Sequence, residues 1–197
     1  MSDGYGSQSA IQRSETPISD GFKEEVTPAG FHSIEAIYEA EFDNLWRSLR
    51  RLGVAEPHLE DAIQEVFLAA HARLHTFDRT RPIRPWLFGI AVRVAAEMRR
   101  HHLRAHPQRE AAEAMVALDL VGPEEALAAR QAQALIDEAL SILDFDQRTV
   151  MVMHDLENIS APAIAETLSL SVNTVYSRLR LAREKVTAFL RRRRGRP

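Results

Sequence analysis

Toward the carboxy terminus, polar side chains suited to nucleic acid surround an apolar helical repeat. Ser171, Asn173, Thr174, Tyr176, Ser177, Arg178 and Arg180 alternate with the inward positions Val172, Val175, Leu179 and Ala182. Asn and Arg make paired hydrogen bonds to adenine and guanine edges in a major groove, Ser and Thr bond bases or phosphates, and Tyr176 can do either through its hydroxyl. Arg183, Lys185 and the run Arg191 to Arg194 suit phosphates, which give affinity without sequence. Two further sets lie nearer the amino terminus. Asp61, Gln64, Glu65 and Leu68 recur at helical steps and form a face of carboxylates, amide and leucine fit to dock on a basic protein surface. Arg93, Glu97, Arg100 and Arg104 share another face, which Arg99, His101, His102, His106 and Arg109 extend and to which the preceding loop adds Arg79, Thr80, Arg81 and Arg84. Basic groups beside Phe77 can hold single-stranded bases by stacking and ion pairing. Trp86, which begins an inward stripe, reads as core.

Catalytic chemistry finds no comparable set. His71 and His75 have metal-ligand spacing on a helix, but no third ligand or catalytic base accompanies them. A Gly-rich phosphate loop is lacking. The chain has no cysteine, which excludes thiol catalysis, thiolate metal sites and disulfides. The expectation is a protein that is not an enzyme, with no cofactor, no metal and no small-molecule substrate.

The elements that must position these faces are all helical. Ile34, Ile37, Tyr38, Phe42, Leu45, Leu49 and Leu52 recur at steps of three or four up to Gly53, and Leu59, Ile63, Val66, Phe67, Ala70 and Leu74 line a second helix after Pro57. A third helix opens after Pro82 and Pro85, with Leu87, Ile90, Ala91, Val94 and Met98 inward. A second set is expected at about 124–143, 146–156, 161–168 and 172–191. Ser160 can cap the helix beginning at Ala161, Ser169 and Leu170 make a turn, and Ser171 can cap the next helix. Ile164, Ala165 and Leu168 then face Val175 and Leu179, the packing of a helix-turn-helix. Strand alternation is absent. The expectation is an all-α chain of two small helical domains: a disordered extension at 1–30, a three-helix bundle at 31–104, a flexible acidic linker at 105–123, and a helix-turn-helix domain with a basic tail at 124–197.

The chain has 197 residues, 45% apolar and 27% charged, with a net charge of -3. That average hides segregation: residues 66–109 carry +7 and 147–197 carry +6, whereas 31–65 carry -5 and 110–146 carry -8. Two basic blocks between acidic ones suggest two surfaces for a polyanion. The longest apolar run, Trp86 to Val92, is far short of the roughly 18 residues of a membrane span. Met1 to Gly30 lacks the basic start and apolar centre of a secretory signal, so a cytoplasmic location is expected.

The run from Asp61 through Ile63, Gln64, Glu65, Val66, Phe67 and Leu68 to Ala70, followed by Leu74 to Phe77 and Pro85 to Ala91, resembles region 2 of bacterial extracytoplasmic-function sigma factors of the sigma-70 family. The runs Ile159 to Leu168 and Ser171 to Arg183 resemble their region 4. The resemblance implies a sigma factor that binds core RNA polymerase, recognises promoter DNA and initiates transcription of a specific stress or envelope regulon. Asp61, Gln64, Glu65 and Leu68 would meet the polymerase clamp helices. Phe77, Arg79, Thr80, Arg81, Arg84, Arg93, Glu97, Arg100 and Arg104 would hold the melted -10 element. Ser171, Asn173, Thr174, Tyr176, Ser177, Arg178, Arg180 and Arg183 would read the -35 duplex. It also implies an anti-sigma factor as partner, one able to hold the protein at a membrane into which it does not itself insert. Arg93 and Glu97 stand where the family commonly has Asn and Asp, and Asn173, Tyr176 and Leu181 where it commonly has Gly, a basic residue and Arg, so base contacts do not transfer directly. The alternative is a stand-alone helix-turn-helix regulator that binds duplex DNA.

Overall fold

The computed structural model describes residues 33–105 and 125–194. The expected extension at 1–30, the linker at 105–123 apart from the end of one helix, and His106 and Arg109 lie outside the described residues. Every regular element among the described residues is helical.

Helix α1, Ile34–Arg51, starts at Ser33, whose hydroxyl accepts the Ala36 N–H at 3.4 Å, and ends before Gly53, whose φ of 95° glycine adopts without penalty. Helices α2, Leu59–Arg73, and α3, Ile83–Ala105, complete the first set. Ile37, Leu45, Leu49, Leu59, Val66, Ala70, Leu87 and Ala91 are buried between them, as their spacing predicts. Each Ile, Leu or Val among them withdrawn from water contributes about 1.5–3 kcal/mol.

The second set comprises α4, Glu125–Ser141, α5, Phe145–Met151, α6, Ala161–Leu168, and α7, Val172–Arg194. Asp144 caps α5 by accepting the Gln147 N–H at 2.8 Å. A π-helical turn, Val152–Leu156, extends α5, and Asn158 stops it in the left-handed region at φ 55°, which Asn tolerates better than most residues. The turn between α6 and α7 is the expected one: Ser169 is left-handed at φ 56°, and Ser171 Oγ accepts the Thr174 N–H at 3.0 Å. Ser160 precedes α6 with extended backbone but makes no side-chain cap bond, so the start of α6 rests on Pro162 and on burial of Ala161 and Ile164. Val172, expected inward, is 37% exposed at the first residue of α7.

The two sets share one core. Besides its expected stripe, α3 buries Phe88, Val92 and Ala95, because α6 packs on the side of α3 turned away from α1 and α2. Gly89 makes this approach possible: a Cβ there would lie 2.7 Å from Thr167 Cγ2.

Candidate nucleic-acid and protein interfaces

On α2, Asp61, Gln64 and Glu65 are exposed and Leu68 is 63% exposed, so all four share one solvent face. Beside this face runs an open groove of about 860 Å³ between α1 and α2, whose apolar lining includes Ile34, Tyr38, Phe42, Trp46, Phe67 and Leu68, with Asp43, Glu60, Gln64 and His71 supplying polar edges. Tyr38, expected in the core stripe, is 46% exposed in this groove. The signal for it was present: Tyr38, Phe42 and Trp46 follow one another by four, and their rings touch in series at centroid distances of 5.0 and 5.8 Å.

The basic loop before α3 is ordered by Asp78, which sequence reasoning passed over. Its Oδ1 accepts from both the Thr80 N–H, at 3.0 Å, and the Thr80 hydroxyl, at 2.7 Å. The Thr80 hydroxyl and N–H bonds, and then Arg81, hold the Asp78 carboxyl below its ordinary value. Phe77 lies against Trp86 at 4.9 Å between centroids, and both are half-buried. Arg79, Thr80 and Arg81 are exposed, and so are Arg93 and Arg100 on α3. Arg84 instead turns inward, its Nε 3.2 Å from the buried Glu41 carboxylate of α1. Glu97 pairs with Arg100 and, at 3.3 Å, with His101. Arg104 falls within α3, but its side chain lies outside the described residues, as does that of His102.

On α7, Asn173, Ser177 and Arg180 are exposed and Tyr176 is 46% exposed. Ser171 and Thr174 are engaged with one another at the cap, their hydroxyl oxygens 2.8 Å apart. The other cations meet carboxylates: Arg178 reaches Asp146 at 2.5 Å, Arg180 reaches Glu184 at 2.7 Å, and Lys185 lies 3.5 Å from Asp144. Arg183 grips Asp155 with two nitrogens at 2.5 and 3.0 Å, and His154 Nδ1 lies 2.7 Å from the same carboxylate. Partial burial works to raise the Asp155 carboxyl, but the hydrogen bonds and charges of His154 and Arg183 outweigh it and hold it at about 2.

Arg148, like Asp78, carries no signal that the sequence pattern picked out. It donates to the Leu140 carbonyl at 3.0 Å and the Ser141 carbonyl at 3.2 Å, closing the carboxy-terminal end of α4. Burial, and then the nearby Arg99, push its guanidinium below the ordinary arginine value. Among the described residues no three potential ligands come together around a metal position, and no helix is long and apolar enough to cross a membrane.

Comparison with known proteins gives this arrangement a family. Residues 37–105 match sigma-70 region 2, and residues 133–186 match sigma-70 region 4. The chain is 33% identical over 149 residues to the RNA polymerase sigma factor NccH of Alcaligenes xylosoxydans xylosoxydans, covering 74% of this chain and 80% of that one. It is 27% identical over 169 residues to the ECF RNA polymerase sigma factor SigW of Bacillus subtilis, covering 82% and 89% respectively. Among solved structures, CnrH in complex with the cytosolic domain of CnrY superposes with a TM-score of 0.60 at 29% identity, over 80% of this chain and 86% of that one. With both regions present in order and a relative above 30% identity over most of its length, the chain belongs to the extracytoplasmic-function branch of the sigma-70 family of RNA polymerase sigma factors.

Proposed function

We propose that the chain joins core RNA polymerase through α2 and directs it to promoters with two separate DNA-binding faces. Residues 31–104 form the polymerase-binding and -10-binding domain, and 124–197 the -35-binding domain. The observation that carries this reading is that one chain holds both an exposed Asp61, Gln64, Glu65 and Leu68 face and a Ser171-capped helix with Asn173, Tyr176, Ser177 and Arg180 exposed on its first turns. The carboxylates and the amide of α2 offer acceptors to a basic polymerase surface, and Leu68 offers apolar area at the centre of the contact. The first turns of α7 enter the major groove at the -35 element, where Asn173 and Arg178 suit base edges and Arg180 and Arg183 suit phosphates. Arg79, Arg81, Arg93 and Arg100 draw the single-stranded -10 element to the loop carrying Phe77. An anti-sigma factor is a fitting regulator, since the structural relative CnrH is held by the cytosolic domain of CnrY. The activity is regulatory rather than catalytic, and it is exercised where polymerase is, in the cytoplasm.

The test is co-elution of the purified chain with bacterial core RNA polymerase in moderate salt, with the Asp61→Arg variant beside it. Wild-type binding that the folded variant loses supports the docking face. If neither protein binds while the free chain protects a duplex site, the chain is a stand-alone DNA-binding regulator.

A further inference from the structure

An acid within a surface for a polyanion works against binding, so it must return something else. Residues 66–109 carry nine arginines and two acids, Asp78 and Glu97. Glu97 lies along α3 with its helical partners Arg100 and His101. Asp78 stands in the basic loop itself, between Phe77 and Arg79, and closes a four-residue turn in two ways. Its backbone carbonyl accepts the Arg81 N–H at 3.0 Å, and its Oδ1 accepts the Thr80 N–H at 3.0 Å and the Thr80 hydroxyl at 2.7 Å. Its second oxygen lies 3.7 Å from Arg81 Nε, and the same guanidinium reaches Glu166 of α6 at 2.5 Å. The turn is anchored on either side. Before it, Phe77 packs on Trp86; after it, Arg84 is held by the buried Glu41, which also accepts from Asn44 at 3.2 Å. With both ends fixed, the bonds of Asp78 decide whether the residues between them keep one shape.

We infer, on the promoter-binding reading above, that Asp78 is a positioning residue for capture of the melted -10 strand. It touches no nucleotide; by folding the turn it presents Phe77, Arg79 and Thr80 in the one arrangement that a single strand meets. Backbone that must be ordered at the moment of binding lowers affinity. Affinity therefore scales with the fraction of molecules whose loop is already shaped, and a turn formed in about a tenth of them binds about tenfold more weakly. Charge alone acts with the opposite sign, because taking a carboxylate away from a phosphate-binding surface removes a repulsion.

Asp78→Ala and Asp78→Asn, each in the full chain, separate positioning from charge. Asparagine keeps an oxygen that can accept both Thr80 bonds, and alanine does not. Affinity is read by fluorescence anisotropy on a labelled, random-sequence DNA single strand of about 12 nucleotides. Asp78→Ala should bind it about tenfold more weakly than the parent chain, and Asp78→Asn at least as tightly as the parent. A mixed-sequence duplex, engaged by α7, should bind all three alike, which a general loss of folding would not permit. Trp86 reads the shape of the loop independently: in a Trp46→Phe background it is the chain's only tryptophan, and acrylamide should quench it more in Asp78→Ala than in Asp78→Asn or the parent. Strand binding that alanine and asparagine change alike, or equal quenching in all three chains, would overturn the positioning role. If quenching changes as expected but the parent binds the strand no better than a chain with Arg79, Arg93 and Arg100 all replaced by alanine, the loop is not a strand-binding site and the positioning role falls with it.

Discussion

Replacing Gly89 by alanine sets two known effects against each other, and the packing of α6 on α3 decides the sign. In a helix interior, Gly→Ala stabilises by about 0.5–1 kcal/mol, because the unfolded chain loses freedom. Here the new Cβ would sit 2.7 Å from Thr167 Cγ2, about 1 Å inside ordinary carbon–carbon contact. Overpacking of that kind costs about 1–3 kcal/mol, so Gly89→Ala should destabilise by about 1 kcal/mol net. Thr167→Ser removes the opposing methyl, and in that background Gly89→Ala should stabilise by up to about 1 kcal/mol. The double-mutant cycle in urea unfolding, with m unchanged across the set, should return a coupling of about 1–2 kcal/mol. If Gly89→Ala stabilises alike in both backgrounds, Thr167 is not there to be struck and the shared core of the two sets is wrong.

Two further predictions concern α7. The Asp155 carboxyl is held at about 2, below the ordinary 3.8, so the stability it lends is present above about pH 4 and is lost as the pH falls toward 2. Solvent screening of this partly exposed group reduces that contribution to about 1 kcal/mol, so Asp155→Asn should unfold earlier at pH 7 and match the wild type near pH 2; a thermal gap of equal size at both pH values would refute the assignment. Arg178→Ala should weaken binding to a specific duplex by about 1–3 kcal/mol in fluorescence titration, and an equal loss on random duplex would show that Arg178 touches only the backbone.

How much of this was legible in advance follows from which forces are local. The boundaries of α6, the left-handed turn at Ser169 and the Ser171 cap depend on residues within a few positions of one another, and the sequence pattern locates them. The exposed face of α2 is equally local, since Asp61, Gln64, Glu65 and Leu68 all lie opposite a single apolar stripe. Contacts across 40 to 110 residues leave no such periodic mark. Glu157 looks like an ordinary surface acid until Ser48 and Arg51 are brought to it, and Arg84 looks like a loop cation until Glu41 takes it inward. One non-local signal was available. The run Trp86 to Val92 is apolar on every side, which marks a helix covered on two faces rather than one. Ser160 carries the opposite lesson: a residue of the right type at the right place, with the extended backbone of a cap, makes no cap bond.

The pairing of Arg178 with Asp146 and of Arg183 with Asp155 bears on how DNA binding by α7 will respond to salt. An arginine that arrives at a phosphate from water releases a counterion condensed on the DNA, and the slope of affinity against salt concentration counts such events. Arg178 and Arg183 must first leave a carboxylate, and each carboxylate left behind recruits a cation of its own or repels the phosphate nearby. The exchange is close to neutral in ions. A titration against salt will therefore report fewer phosphate contacts than α7 has arginines at the backbone, and the shortfall will shrink when Asp146 and Asp155 are both made asparagine.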